Sequence, residues 1–251
     1  MIRDAIDDLI ARNALFAVNH SGGKDSQAML LAVRALVPVR QILVVHAELP
    51  EVDWPGLVEH VKADSAGLPV VVCRAAKTFF EMVEHRGMWP SPKNRQCTSD
   101  LKRGPIEREI RRYLKLHPEF GGLVVNCMGL RAGESPSRAR QPALKLNERN
   151  SVAGREWYDW LPIQGLHTLQ VLARIANAWG DLHWAYQEGM SRLSCCFCIM
   201  SSRADLRTAA GLRPDLYRRY GETERKLNRT FLMPSKAHGR RFLPDVTGVA
   251  A

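Results

Sequence analysis

Neither a long hydrophobic run nor a secretion signal is present in this chain of 251 residues. No apolar stretch approaches the roughly 20 residues that a membrane-spanning helix requires. The opening segment, MIRDAIDDLIARN, alternates acidic and apolar side chains and has no basic region followed by a cleavage site, unlike a signal peptide. We therefore predict a cytoplasmic protein with no membrane partner.

Acidic residues are also scarce relative to basic ones. The chain has 26 Asp and Glu against 36 Lys and Arg, which gives a formal net charge of +10. A basic protein attracts polyanions, so nucleic acid is the obvious candidate partner, although a charge bias set by genome composition would produce the same excess. The hydrophobic fraction of 45% is ordinary for a globular protein that buries a sizeable core.

Four apolar runs alternate with helical patterns along the first half of the chain. The runs cover residues 14–18, 40–46, 69–73 and 122–128, and a shorter strand is predicted over 156–163. Alternating apolar strands and helices indicate a parallel sheet covered on both faces. We predict a doubly wound α/β domain over residues 1–180 and a basic helical region with a cysteine cluster over 181–251. We predict that Cys73 and Cys127 are core residues. Residues 131–155 are predicted to form a loop, and the last residues of the chain are predicted to be unstructured.

The segment NHSGGKDS at residues 19–26 lies between the first predicted strand and a predicted helix. Gly22 and Gly23 allow backbone N–H groups to approach an anion, and the helix N-terminus adds unpaired donors. Lys24 supplies a positive charge, and Ser21 and Ser26 supply two hydroxyls. The Asp25 carboxylate is suited to capping the helix or to holding Mg²⁺. The turn is therefore predicted to bind phosphate, although its spacing is not that of a Walker A loop.

The SGGKDS segment resembles the PP-loop of the ATP pyrophosphatase family, whose members cut ATP between the α and β phosphates. Other segments resemble the phosphoadenosine phosphosulfate (PAPS) reductase-like branch of that family: HAE at 46–48, VDWP at 52–55, CTSDLKRGP at 97–105, GLRAGESPSR at 129–138 and DWLPI at 159–163. The resemblance implies an adenine nucleotide alpha-hydrolase-like fold and ATP with Mg²⁺ as cofactors.

The same resemblance implies roles for individual residues. Lys24, Asp25 and Arg131 would act in catalysis, and Glu48 would meet the nucleoside. Gly129, Arg131 and Arg138 would lie beside anionic groups, as guanidinium forks do. A solvated basic loop is the alternative for the two arginines.

Three of the six cysteines crowd into residues 195–198. In a cytosolic chain this spacing indicates a metal site, an iron–sulfur cluster or a redox pair rather than disulfides. The family pattern aligns Cys195 and Cys198 as its CxxC pair and adds Cys97. This set implies a [4Fe–4S] cluster with one open iron, and Cys196 or Cys127 is a candidate fourth ligand. Zinc and metal-free thiols remain alternatives.

The closest resemblance is to the ATP pyrophosphatase component of DNA phosphorothioation systems of the Dnd and Ssp type. It implies an AMP- and pyrophosphate-forming sulfurtransferase that acts on nucleic acid, DNA in preference to tRNA, with Cys195 and Cys198 in the sulfur step. The implied partner is a cysteine desulfurase or another sulfur donor, and a homodimer is kept among the expected assemblies.

Two other functions remain open. One is a PAPS or adenylylsulfate reductase, which is disfavoured because residues 199–251 lack the nucleophilic cysteine of that branch's tail. The other is a nucleotide-binding subunit with a zinc knuckle and no sulfur chemistry.

Overall fold

The computed structural model describes residues 2–234, 236–237 and 239–250. The chain divides into two compact units, each assembled from separate segments. The first unit comprises Met1–His46, Val58–Cys73 and Ile106–Leu182, and the second comprises Ala47–Leu57, Arg74–Pro105 and His183–Ala251. The second unit also includes two segments that precede residue 180. The predicted domain boundary at residue 180 stays a prediction.

A six-stranded sheet forms the centre of the first unit, in the order β3-β2-β1-β4-β6-β5. Its strands are β1 Leu15–Asn19, β2 Ile42–Ala47, β3 Val70–Cys73, β4 Leu123–Cys127, β5 Leu144–Leu146 and β6 Glu156–Trp160. Parallel pairing joins β1 to β2 and β4, and β4 to β6, whereas β5 runs antiparallel to β6. The predicted α/β class and its mostly parallel sheet are confirmed, and β5 is a strand within the segment predicted as a loop.

The helices are, in chain order, α1 Ile2–Ala11, α2 Lys24–Arg34, α3 Leu57–Asp64, α4 Phe79–Arg86, α5 Gln96–Thr98, α6 Gly104–Leu116, α7 Pro136–Ala139, α8 Thr168–Asn177, α9 Arg203–Leu212, α10 Pro214–Leu227 and α11 Leu243–Thr247. A π-helical segment, Ser99–Arg103, joins α5 to α6. Among the described residues, none of these helices has the length and apolar character needed to span a membrane.

Each unit has its own core. In the first unit every residue of β2 and β4 is buried, as expected of strands covered on both faces. Cys73 and Cys127 are buried, as predicted. The second core is rich in stacked and edge-on aromatic rings contributed by Phe79, Phe80, Trp89, Phe197, Tyr217, Tyr220 and Phe231.

The C-terminal segment is more ordered than the sequence predicts. Residues 243–247 form α11, which buries Leu243 and Val246 in the core of the second unit. The buried Glu224 carboxylate on α10 accepts hydrogen bonds from the backbone N–H groups of Phe231 (2.6 Å) and Leu243 (2.8 Å). The prediction of unstructured last residues is therefore wrong for α11, because a single buried carboxylate fixes the backbone before and at this helix.

Candidate functional site

The turn between β1 and α2 leaves the N-terminus of α2 free of a side-chain cap. Gly23 is the N-cap residue and contributes no capping side chain. Gly22 has φ of 77°, in the left-handed region that favours glycine. The first turn of α2 therefore presents backbone N–H groups and the positive end of the helix dipole, which is the arrangement that binds phosphate.

The two serines of this turn hold its shape from within. The Ser26 hydroxyl donates to the carbonyl of Gly23 (2.8 Å) and accepts from the backbone N–H of Ser21 (3.1 Å). The Ser21 hydroxyl lies 3.2 Å from the Ser26 hydroxyl. The sequence predicts both serines as phosphate ligands, and the structure gives Ser26 the additional task of closing the loop.

A buried histidine, His20, also contacts the loop; it adjoins the turn in the sequence, where packing at the strand end and contact with phosphate are equally expected. The backbone N–H of Gly22 donates to Nδ1 of His20 (3.1 Å), and the His20 side chain is fully enclosed. On its other side, His20 Nε2 lies 3.4 Å from an oxygen of Asp64. The same carboxylate lies 3.3 Å from Nε2 of His60 and accepts from Gln27 (2.9 Å).

Asp25 and Arg131, which are predicted site residues from distant segments, are in direct contact. Arg131 Nε donates to Asp25 Oδ1 at 2.7 Å, and Lys24 Nζ lies 3.8 Å from Asp25 Oδ2. Arg131 is buried and also donates to the Thr168 hydroxyl (3.3 Å). Gly129 packs so closely that a Cβ there would lie 3.1 Å from the carbonyl oxygen of Asp25. The loop after β4 is thus fitted against the first turn of α2.

Arg138 lies in the same loop but forms a local ion pair. Its guanidinium donates to Glu134, whose carboxylate also accepts from the backbone N–H of Arg131 (3.0 Å). Burial tends to raise the pKa of Glu134, but these hydrogen bonds and the two arginine charges outweigh burial and lower it. The charge of Arg138 is therefore offset by Glu134 within its own loop. To contact an anion, the Arg138 guanidinium would have to interact with that anion and with Glu134 at the same time.

Glu48, the predicted nucleoside contact, belongs to the second unit. Both Nε and an outer nitrogen of Arg74 lie 2.8 Å from its carboxylate. This ion pair lies at a cavity of about 220 Å³ that is also lined by Lys77, Thr78 and Phe79. The role of Glu48 toward a nucleoside stays a prediction.

The three predicted cluster cysteines are neighbours in the second unit. Cys97, Cys195 and Cys198 are partly buried, and their charges interact with one another and with Lys102. Burial raises the pKa of the Cys195 thiol, and the Lys102 ammonium opposes that shift. In turn Cys195, with a smaller effect from Asp53, raises the pKa of Lys102, which stays protonated. Lys102 lies in the CTSDLKRGP segment, but its position beside the cysteines is not evident from the sequence.

Cys196 has a different environment from its neighbours. It is fully buried, and its sulfur accepts a hydrogen bond from Arg213 (3.4 Å). Burial raises the pKa of this thiol to about 12. Among the described residues, no group of three or more His, Cys, Asp or Glu side chains is arranged to hold a metal ion. The predicted iron–sulfur and zinc ligands therefore stay predictions.

One known structure shares the fold at low sequence identity, and a second is similar at a lower TM-score. PAPS reductase from Candida auris, in its phosphate complex, superposes with a TM-score of 0.50 at 14% identity, covering 77% of this chain and 87% of that chain. FMN adenylyltransferase from Candida glabrata, with FAD and inorganic pyrophosphate, gives a TM-score of 0.46 at 12% identity, covering 72% of this chain and 54% of that chain.

A sequence relative is an uncharacterized 37.8 kDa protein of Escherichia phage 186. It is 28% identical over 147 residues, which is 59% of this chain and 42% of the phage protein. The match thus spans less than half the length of that relative. Residues 16–201 match the phosphoadenosine phosphosulfate reductase domain. This range includes most of β1, the glycine turn, the loop after β4 and the cysteine segment, and the chain belongs to this family.

Proposed function

We propose that the protein is an ATP pyrophosphatase that adenylates a nucleic-acid acceptor for sulfur insertion. The observation that carries the proposal is the uncapped N-terminus of α2 behind Gly22 and Gly23. Such a terminus binds phosphate through backbone donors, and Lys24 adds a positive charge at its first position. A helix that begins in this way is suited to receive the pyrophosphate that leaves from ATP.

The activation step forms one bond and breaks one bond. A non-bridging oxygen of an acceptor phosphate attacks the α-phosphorus of ATP, and the bond from that phosphorus to the bridging oxygen of the β-phosphate breaks. Pyrophosphate leaves with the electron pair, and the acceptor carries AMP as a mixed anhydride. Lys24 offsets the charge on the departing pyrophosphate, and Arg131 offsets charge on the transferred phosphoryl group.

The ion pair between Asp25 and Arg131 supports this assignment. Asp25 Oδ1 orients the guanidinium at 2.7 Å, so Arg131 does not have to be ordered when the nucleotide binds. Asp25 is the residue that would hold Mg²⁺, and this ion would supply positive charge for the phosphates.

In the sulfur step, a nucleophile at the oxidation state of sulfide attacks the activated phosphorus and AMP leaves. We propose that Cys195 and Cys198 carry this sulfur, with a cysteine desulfurase or another donor as its source. Sulfur from a desulfurase arrives as a persulfide, so a dithiol reductant supplies the two electrons that convert it to sulfide. Cys97, Cys195 and Cys198 are also the proposed ligands of a [4Fe–4S] cluster. The three thiols interact electrostatically with one another, which supports this ligand set, whereas the described residues contain no preformed metal site. The two steps above do not depend on the cluster.

The proposed acceptor is DNA, in a phosphorothioation reaction, with tRNA thiolation as the neighbouring possibility. The net charge of +10 supports a polyanionic acceptor. A homodimer remains part of the proposal.

The decisive experiment separates the two steps with Cys195→Ser. We expect the variant to bind ATP and release pyrophosphate with DNA present, and to lose incorporation of radiolabelled sulfur by at least about 100-fold, because only the second step needs the thiol. Cys73→Ser, at a buried core thiol, is the matched control and should transfer sulfur. Normal sulfur transfer by Cys195→Ser would show that the proposed mechanism is wrong.

Sulfonucleotide reduction is the second candidate, favoured by the family to which the chain belongs. Sulfite release from PAPS or adenylylsulfate, with a dithiol reductant and without ATP, would support it and contradict the adenylation proposal.

A structural zinc knuckle would give about one zinc and no acid-labile sulfide in protein purified without oxygen. A four-iron cluster would give about four irons and four sulfides.

A further inference from the structure

A pocket in the second unit has no role in the proposed chemistry. Its volume is about 410 Å³, which lies within the range of about 300–1,000 Å³ that is typical of ligand sites. It is lined by Met88, Trp89, Pro90, Ser91, Asn94, Arg229, Thr230, Phe231, Met233, Pro234 and Arg240.

The inner part of this pocket is aromatic and rigid. Trp89 and Phe231 are buried, with ring centroids 5.2 Å apart in an edge-on arrangement. The indole N–H of Trp89 donates to the carbonyl of Arg229 (3.0 Å), so the polar atom of the ring is already satisfied. At the surface, the side chains of Met88 and Met233 are 46% and 65% exposed. These apolar groups have no evident use in a pocket that holds only water.

The two chain segments that line the pocket carry charge of one sign. Segments 88–95 and 229–241 together contain six basic residues and no acidic residue: Lys93, Arg95, Arg229, Lys236, Arg240 and Arg241. Arg240 is positioned by hydrogen bonds to the carbonyl (2.6 Å) and side chain (3.2 Å) of Asn228. The Arg229 side chain is exposed, and within the described residues it forms no hydrogen bond or ion pair. Its charge is therefore available to an external anion.

We infer that this basic pocket, defined by the eleven lining residues above, binds an unpaired segment of a nucleic-acid strand. A base fits against the apolar lining, and the flanking phosphates meet Arg229 and Arg240. Single-strand sites combine these two elements, an apolar or aromatic surface for bases and cations for the backbone. An acidic peptide would satisfy the cations but leave the apolar lining in water, and a duplex keeps its bases stacked out of reach. The inference rests on the proposed function, because the pocket would be the docking site of the nucleic-acid acceptor.

The test compares two charge reversals that change the net charge equally. Arg229→Glu alters the basic pocket, whereas Arg40→Glu alters an exposed arginine of the first unit. Fluorescence anisotropy with a labelled single-stranded 20-mer, over a range of salt concentrations and without ATP, gives affinity and salt dependence. We expect Arg229→Glu to weaken binding about tenfold or more and to reduce the salt slope by about one, while Arg40→Glu changes both little. Met233→Asp, an exposed apolar position, should also weaken binding.

Several results would overturn the inference. These are equal losses in Arg229→Glu and Arg40→Glu, tighter binding of a duplex than of the single strand, and competition by a poly-glutamate peptide as effective as that by the unlabelled strand. The outcome is separable from that of the proposed function. If Arg229→Glu binds the strand normally while DNA-dependent pyrophosphate release persists, only the docking site is wrong. If the pocket binds the strand but ATP is never cleaved, only the proposed function is wrong.

Discussion

At the scale of single residues, the hydrogen bond from Gly22 determines the tautomer of His20. A backbone N–H can only donate, so Nδ1 of His20 must accept from Gly22. In the neutral ring the proton is then on Nε2, facing the Asp64 oxygen at 3.4 Å. His20 is therefore a positioning residue that determines where the Gly22 amide points in the phosphate-binding turn.

Two substitutions of His20 test this role. In His20→Asn the amide oxygen takes the place of Nδ1, so we expect ATP binding to remain within about threefold of the wild type. His20→Leu leaves the Gly22 N–H unsatisfied, a cost of about 1–3 kcal/mol, and should weaken ATP binding about tenfold or more. Isothermal titration calorimetry measures both. Equal affinities for the two variants would mean that the hydrogen bond does not position the loop.

At the scale of elements, the fit of the loop after β4 against α2 depends on Gly129. A Cβ at residue 129 would lie 3.1 Å from the carbonyl oxygen and 3.2 Å from the carbonyl carbon of Asp25. Both atoms belong to the backbone at the start of α2, so they cannot move aside as a flexible side chain would. Contact between these two elements is therefore compatible with glycine and incompatible with a larger residue without a shift.

We expect Gly129→Ala to displace this loop and to weaken the contact between Asp25 and Arg131. ATP affinity should fall about tenfold, and the free energy of unfolding should fall by about 1–3 kcal/mol. Gly133→Ala is the matched control in the same loop, since a Cβ there meets nothing within 4 Å. Calorimetric titration and urea denaturation provide the two readouts, and loss of binding in the control but not in Gly129→Ala would contradict the assignment.

The sequence predicts elements better than it predicts contacts among them. The strands β1, β2 and β4 and the start of α2 are evident because apolar runs and a glycine turn are local signals. The three-residue strand β5 and the helix α11 are too short to give such a signal. Asp25 and Arg131 are both predicted site residues, but their contact links positions 106 residues apart and needs the sheet order. The proximity of Lys102 to the cysteines is not predictable from the sequence for the same reason.

At the scale of the whole molecule, the stability of the fold should depend on pH through His60. Burial lowers the pKa of His60 below its usual 6.5, with Asp64 opposing and His20 reinforcing that shift. Below pH 6.5 the unfolded chain therefore binds a proton at this residue more readily than the folded protein. The free energy of unfolding should decrease as the pH falls from 6.5 through the pKa of the folded state.

His60→Gln removes this titration and retains a polar group at the same place. Urea denaturation at pH 7.5 and at pH 5.5 should show a smaller decrease for His60→Gln than for the wild type. His85→Gln, at an exposed histidine of the second unit, should leave the decrease unchanged. An identical decrease in all three proteins would mean that His60 does not carry the effect.

The ammonium group of Lys102 places a positive charge beside the cysteines. Cys195 raises the pKa of Lys102, so the group remains a cation throughout the physiological range, with Asp53 as its nearby carboxylate. A fixed positive charge in a partly buried site favours the binding of anions over cations. Hydrosulfide, a persulfide anion or a thiolate-bound assembly with net negative charge would be attracted, whereas a bare metal cation approaching neutral thiols would be repelled. One lysine would thereby act as an electrostatic filter that admits reduced sulfur in its anionic forms.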